Sequence, residues 1–328
     1  MSKRAMLAAL VASVAGMMGC SEPPLYPIEE DGEYGFINEK GDVVIDARFE
    51  FVDGFSDGRA AFEDDGEYGF IDRQGDVVIE SQFDDVERFS ESGLAAVELD
   101  DRFGVIDVDG NLVINPRFQG TYGGFSEGRL AVSDGDEVGY VDTDGEMVIE
   151  PQFDFVAAFN NGVAPVRVGD RWGLIDTAGG FVLNPRYDSM GSPADERVPV
   201  REDDEWGIVD TEGDQIIPPQ FDDIREFSDG VSTVQSGDRW GVIDGDGEYL
   251  VNPRFDNAAG FCDGIAAVLQ DGSWGGIDTD GQWVVEAEFD SPFCFDGPLA
   301  LVAIDLDDQT WGYINRDGQQ VFIGEQSR

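Results

Sequence analysis

The sequence predicts an all-β protein made of about nine tandem three-stranded antiparallel meanders, arranged as an open, curved, solenoid-like array. Three observations predict it. An aromatic–Gly pair recurs at Tyr34-Gly35, Tyr68-Gly69, Phe103-Gly104, Trp172-Gly173, Trp206-Gly207, Trp240-Gly241, Trp274-Gly275 and Trp311-Gly312, and Val138-Gly139 keeps the Gly alone. The Gly-to-Gly intervals are 34, 35, 35, 34, 34, 34, 34 and 37 residues. Each pair is followed by a Gly-bearing turn and then a β-branched run ending on an aromatic, as in Val113-Ile114-Asn115-Pro116-Arg117-Phe118.

The chain starts with a segment of different character. Lys3 and Arg4 precede an uncharged stretch from Ala5 to Gly19, too short for a span of about 20 residues. It ends in Met17-Met18-Gly19-Cys20, followed by polar, Pro-containing residues 21–24, a short linker. Residues 1–20 thus resemble a bacterial lipoprotein signal peptide. The resemblance implies lipidation of Cys20 and a lipid-anchored, extracytoplasmic protein; an ordinary secretory signal with an incidental Cys20 is the alternative. Ser21 follows the Cys where many inner-membrane lipoproteins carry Asp, so the outer membrane is the expected location.

Residues 25–323 hold the repeats, and 324–328 form a tail. Within a unit, a short apolar strand such as Leu94-Ala95-Ala96-Val97 leads through Asp100-Asp101 into the aromatic–Gly strand. A second turn, Asp109-Gly110, leads into Leu112-Val113-Ile114. Tight hairpins need positive φ, which Asp and Gly supply. Alternation puts Trp172 and Leu174 on one face, Gly173 and Ile175 on the other. A Gly at a fixed strand position predicts close approach of a neighbouring backbone or ring. Pro116, Pro151, Pro185 and Pro253 are expected to stop the third strand, and Phe55-Ser56-Asp57-Gly58 to form a packed connecting loop.

The string Trp-Gly-x-Ile-Asp…Gly-x-x-Val-Ile-x-Pro-x-Phe, repeated in register, resembles WG-repeat proteins across the chain from about residue 25 to 323. The resemblance implies an all-β repeat protein and no single activity. Both ends finish on whole units, which provides no split unit to close a ring. Nine units also exceed the four to eight blades typical of propellers, so the open array is expected.

Composition narrows function. Asp and Glu number 70 against 20 Lys and Arg, a formal charge of −50, so binding to phosphate backbones is disfavoured. With no His, Ser-His-Asp and Cys-His relays and His-ligated zinc are excluded. At 41% hydrophobic with 23 Phe, the chain is too apolar for a disordered acidic one. No acid pair stands out as a glycosidase couple, and no enzyme is expected.

The Asp-x-Asp-Gly turns at Asp107/Asp109, Asp142/Asp144, Asp244/Asp246 and Asp278/Asp280 have half of a calcium-loop pattern. Local turn chemistry is the other reading, and calcium the one candidate cofactor. Trp172, Trp206, Trp240, Trp274 and Trp311 are candidates for a sugar-stacking ladder or for inter-unit packing. Cys262 and Cys294, in corresponding segments of consecutive units, are disulfide candidates in an oxidising compartment. The functional expectation is a lipid-anchored cell-envelope protein whose β array is a scaffold for envelope proteins. A carbohydrate or cell-wall binder, with or without calcium, is the alternative.

Overall fold

The computed structural model describes residues 23–305 and 310–323. Cys20 and the expected signal segment lie outside the described residues. The described chain forms nine antiparallel sheets, each running in strict chain order. Blade five shows the plan: a two-residue strand (Phe155–Val156), then Val163–Val168, Arg171–Asp176 and Phe181–Tyr187. The meander therefore has four strands, not three; first, second and third strand below mean the three long ones, and the two-residue strand is called the short strand. The short strand lies just before the expected packed loop, which stays outside the named strands, and it pairs with the strand after it through Phe155↔Arg167 and Val156↔Val166. Among the described residues, blade one has three strands, Tyr26–Glu30, Glu33–Ile37 and Val43–Phe49.

The strand-two glycine has a specific cause. Trp172 pairs with Tyr187 but Leu174 with Leu183, so the third strand bulges between them. A Cβ on Gly173 would sit 2.5 Å from Leu183 O and 2.8 Å from Pro185 N. Gly35, Gly69, Gly104, Gly139, Gly207 and Gly241 face the same bulge. The close approach thus comes from the blade's own third strand. The same geometry corrects the reading of the prolines. Pro116 lies inside the strand Leu112–Phe118, and Pro185 inside Phe181–Tyr187. At a bulge a missing N–H breaks no ladder bond.

Alternation on the second strand sends side chains to two different junctions. Leu174 enters a cluster with Leu183, Tyr187, Val198 and Val209, between blades five and six. Ile175 enters one with Tyr140, Phe153, Phe159 and Val166, between blades four and five. Each blade is thus cemented on both faces.

The arrangement of these clusters overturns the open array. Nine blades in an open row would have eight junctions, and the structure has nine clusters. The ninth joins Tyr26, Ile28 and Ile37 of blade one to Leu299 and Tyr313 of blade nine. Tyr26 Oη donates to Asp296 O at 2.7 Å, and Tyr313 Oη donates to Pro27 O at 2.8 Å. The molecule is a closed nine-bladed β-propeller. No split blade is needed, because side chains close the ring.

Candidate functional site

The short strands mark the side of each blade nearest the axis. There Arg88 of blade three makes a bidentate ion pair with Asp53 of blade two, and its charge interacts with Asp296 of blade nine across the ring. The Asp53 hydrogen bond raises the Arg88 pKa. Burial, reinforced by Asp85 and Asp53, raises that of Glu87. Burial, reinforced by Asp263, also raises that of Asp296. The repeat pattern does not single out this group. Its one signal is Arg88, standing where blades two and five have Gly54 and Ala158.

The inner turns form a second feature. Positive φ is adopted at Glu127, Asn161, Asp195 and Asp263. Their side chains reach forward one blade: Glu127 accepts from Gly162 N, Asn161 from Glu196 N, Asp195 from Gly230 N and Asp263 from Gly297 N. The turns are thereby linked blade to blade. Ser189 to Glu196, which reads Ser-Met-Gly-Ser-Pro-Ala-Asp-Glu where other blades carry Phe-x-x-Gly, keeps this link through Asp195.

The four Asp-x-Asp-Gly motifs lie at the turn between the second and third strands. In each, one oxygen of the first Asp accepts two backbone N–H groups: Asp107 from Asp109 and Asn111, Asp142 from Asp144 and Glu146, Asp244 from Asp246 and Glu248, Asp278 from Asp280 and Gln282. That is Asx-turn chemistry. The Asn111 side-chain hydrogen bonds are the main cause holding the Asp107 carboxyl below its usual range. Three carboxylates come together at a different turn, Asp210, Glu212 and Asp214, but Asp210 Oδ1 is already the acceptor for two backbone N–H groups. Sequence reasoning passed over that turn because Glu replaces the second Asp.

The Trp position is an inter-blade packing position. Trp240 is buried, and Trp172, Trp206 and Trp274 pack against the clusters beside them. Trp311 is 37% exposed and stands apart from these four. Arg225 lies over the Trp240 ring at 4.5 Å, covering a face that a sugar would need. Cys262 and Cys294 form a disulfide between blades eight and nine, with Cα atoms 5.4 Å apart.

The outer rim carries a feature that the sequence reading did not use. The third strand is a free sheet edge, and its first two residues are apolar and exposed in several blades: Val43-Val44, Val77-Val78, Leu112-Val113 and Tyr249-Leu250. Phe181, Val148 and Val284 extend the pattern to other blades. In a monomer such residues are ordinarily scattered, whereas here they recur at one level around the ring. The signal was present as the repeated β-branched pair, read only as strand propensity.

With this geometry in hand, the comparisons with known proteins define the class. The family model described as WG containing repeat matches residues 34–68, 68–102, 103–137, 139–172, 172–206, 206–240, 240–274 and 274–305. The chain belongs to the WG-containing-repeat family. No curated protein sequence matches it. Among solved structures, a eukaryotic initiation factor is similar in fold, with a TM-score of 0.64, 12% identity and coverage of 93% of this chain and 96% of that one. At that identity the likeness speaks for the fold alone. Dihydro-heme d1 dehydrogenase NirN (TM-score 0.46, 12% identity, 97% of this chain, 76% of that one) and Kluyveromyces lactis Hsv2p (0.40, 9%, 70% and 91%) are more distant and carry no argument.

Proposed function

We propose that this protein is a cell-envelope scaffold, anchored by a lipid on Cys20, whose propeller rim binds partner proteins. The rim carries the reading. Free strand edges bearing exposed Val44, Val78, Val113 and Leu250 offer backbone hydrogen-bonding groups beside apolar side chains. Edge strands are blunted by charge, Pro or a bulge when nothing is to bind them, and in these strands Pro116 and the exposed charges such as Arg117 follow the apolar pair and leave the pair itself uncharged. The remaining surface of a chain with formal charge −50 keeps it soluble and repels anionic lipid. The Cys262–Cys294 disulfide supports an oxidising, extracytoplasmic location.

The test is capture from envelope extract with immobilised residues 21–328, alongside a form carrying Val44→Lys, Val78→Lys and Val113→Lys. Capture of one reproducible protein by the first form and its loss in the second is the expected result. Retention of purified cell-wall glycan, abolished by a calcium chelator, would replace this reading with the carbohydrate one. Fatty-acid labelling that disappears in Cys20→Ala tests the anchor, and an unlabelled wild type contradicts it.

A further inference from the structure

We infer that the Cys262–Cys294 disulfide is a redox latch on ring closure: bonded, it holds the short strand that blade one docks onto, and reduced, it lets the junction between blades nine and one open. The placement carries the argument. Cys294 immediately precedes the two-residue strand Phe295–Asp296, and Asp296 O is the acceptor for Tyr26 Oη. That strand rests on only two ladder positions, Phe295↔Ala300 and Asp296↔Leu299. The disulfide fastens its start to blade eight. The next turn is held from the same side, since Asp263 accepts from Gly297 N, and Arg316 donates to both Asp263 O and Gly297 O.

The closing junction is the one between blades that are not consecutive in the chain. The third-strand arginines Arg48, Arg117 and Arg254 clamp blades one to two, three to four and seven to eight, donating to Gly75 O, Gly145 O and Gly281 O. At this place the odd-numbered blades one, three, five and seven carry Arg and the even-numbered ones carry Gln82, Gln152, Gln220 and Glu288, but Arg186 of blade five donates to Tyr187 Oη instead. At the closing junction the Val321 backbone of blade nine lies against Gly41 of blade one, and the place that corresponds to these arginines lies outside the described residues. Among the described residues, the closing cluster has five buried members, against seven to ten at the other junctions.

Opening requires a dithiol reductant. It delivers two electrons and two protons, its own sulfurs becoming a disulfide, while the Cys262–Cys294 bond breaks to give two thiols. Loss of the bond frees a 32-residue loop and adds conformational entropy to the open state.

Amide hydrogen exchange, oxidised against reduced, tests the latch on the intact chain. Exchange within Tyr26–Glu30 and Leu299–Val302 is expected to accelerate roughly tenfold on reduction, with Val163–Val168 in blade five changing by less than about twofold. The oxidised Tyr26→Phe variant should speed the same two strands, since it lacks the hydroxyl that reaches Asp296. Cys262→Ser with Cys294→Ser should reproduce the reduced pattern; should it fail to fold, the reduced wild type decides. Unchanged exchange at both strands, or an equal rise in all blades, would overturn the inference and leave the disulfide a plain staple.

Discussion

Blades four and five meet as blades one and two and blades two and three do, whereas blades nine and one meet by a substitute. At the ordinary junction, the Tyr140 ring packs against Phe159 from the incoming connecting segment at 4.8 Å, and Tyr140 Oη donates to Ala157 O. Phe36–Phe55 and Phe70–Phe89 repeat the ring contact at 4.7 and 4.8 Å. At the closing junction Tyr313 occupies the Tyr140 position, but its ring partner is Tyr26, on the first strand of blade one, at 5.4 Å. Tyr313 Oη takes Pro27 O, the carbonyl whose counterpart Pro165 O in blade five accepts from Ala157 N. Two tyrosines thereby replace a packed phenylalanine and a strand hydrogen bond. Closure requires a junction of matching shape and satisfied polar groups, not a strand borrowed from the other terminus.

The largest expected effect leaves both junctions equal. Gly173→Val forces a side chain into the third-strand bulge and should cost more than about 3 kcal/mol in chemical denaturation, because the obstructing atoms are backbone. A cost under about 1 kcal/mol would mean that the bulge is not as described.

Next in size, Tyr26→Ala and Phe159→Ala each remove a buried ring, worth about 3–5 kcal/mol locally. Their consequences should differ. Blades four and five stay tethered by the chain, so Phe159→Ala lowers the temperature of the whole unfolding transition. Tyr26→Ala opens the ring at its one untethered junction and should yield an expanded folded species by size-exclusion chromatography. Equal hydrodynamic radii for the two variants would erase the distinction. Tyr313→Phe is the milder form, expected to cost about 1–3 kcal/mol, because Pro27 O loses its donor while the ring is kept.

The smallest effects are electrostatic and local. Burial raises the folded pKa of Glu87 and Asp296 above their unfolded values, so between the two values the native state holds more protons. Their contribution therefore grows as pH falls through the folded pKa and is lost as pH rises through it. Mild acidification from neutral pH should raise the melting temperature. Glu87→Gln with Asp296→Asn should flatten that rise; an unchanged slope would assign it to net charge alone. Asp176→Ala in a blade-five turn removes the acceptor for Ala178 N and Gly180 N, at about 1 kcal/mol.

Repetition made the blade legible. The aromatic–Gly pair, the Asp-Gly turns and the alternation at Leu174 and Ile175 correspond directly to strands, turns and the two faces of a blade. Closure was not legible. It rests on Tyr26 and Tyr313, which read as ordinary members of an alternating pattern, and on the absence of any rule that a ring must exchange a strand. The two-residue inner strands, such as Phe51–Val52 just before Phe55-Ser56-Asp57-Gly58, were too short to show a period. Of the candidate site residues, the cysteines were readable from corresponding positions in adjacent units. The Asp pairs were readable as turns, because Asp at the first position and Gly at the fourth is what an Asx turn requires. The axial set around Arg88 and the exposed rim were not, since both depend on which edge of a blade faces the axis.

The most direct test of closure is a distance between spin labels on Lys40 and Asp317, exposed positions in the corresponding turns of blades one and nine. A pair at Asp109 and Asp144, the equivalent positions in adjacent blades three and four, gives the reference. Pulsed dipolar measurement on residues 21–328, with the native disulfide intact, should return the same distance distribution for both pairs. A much longer distance for Lys40–Asp317, as the two ends of a nine-unit row would give, would contradict the closed ring.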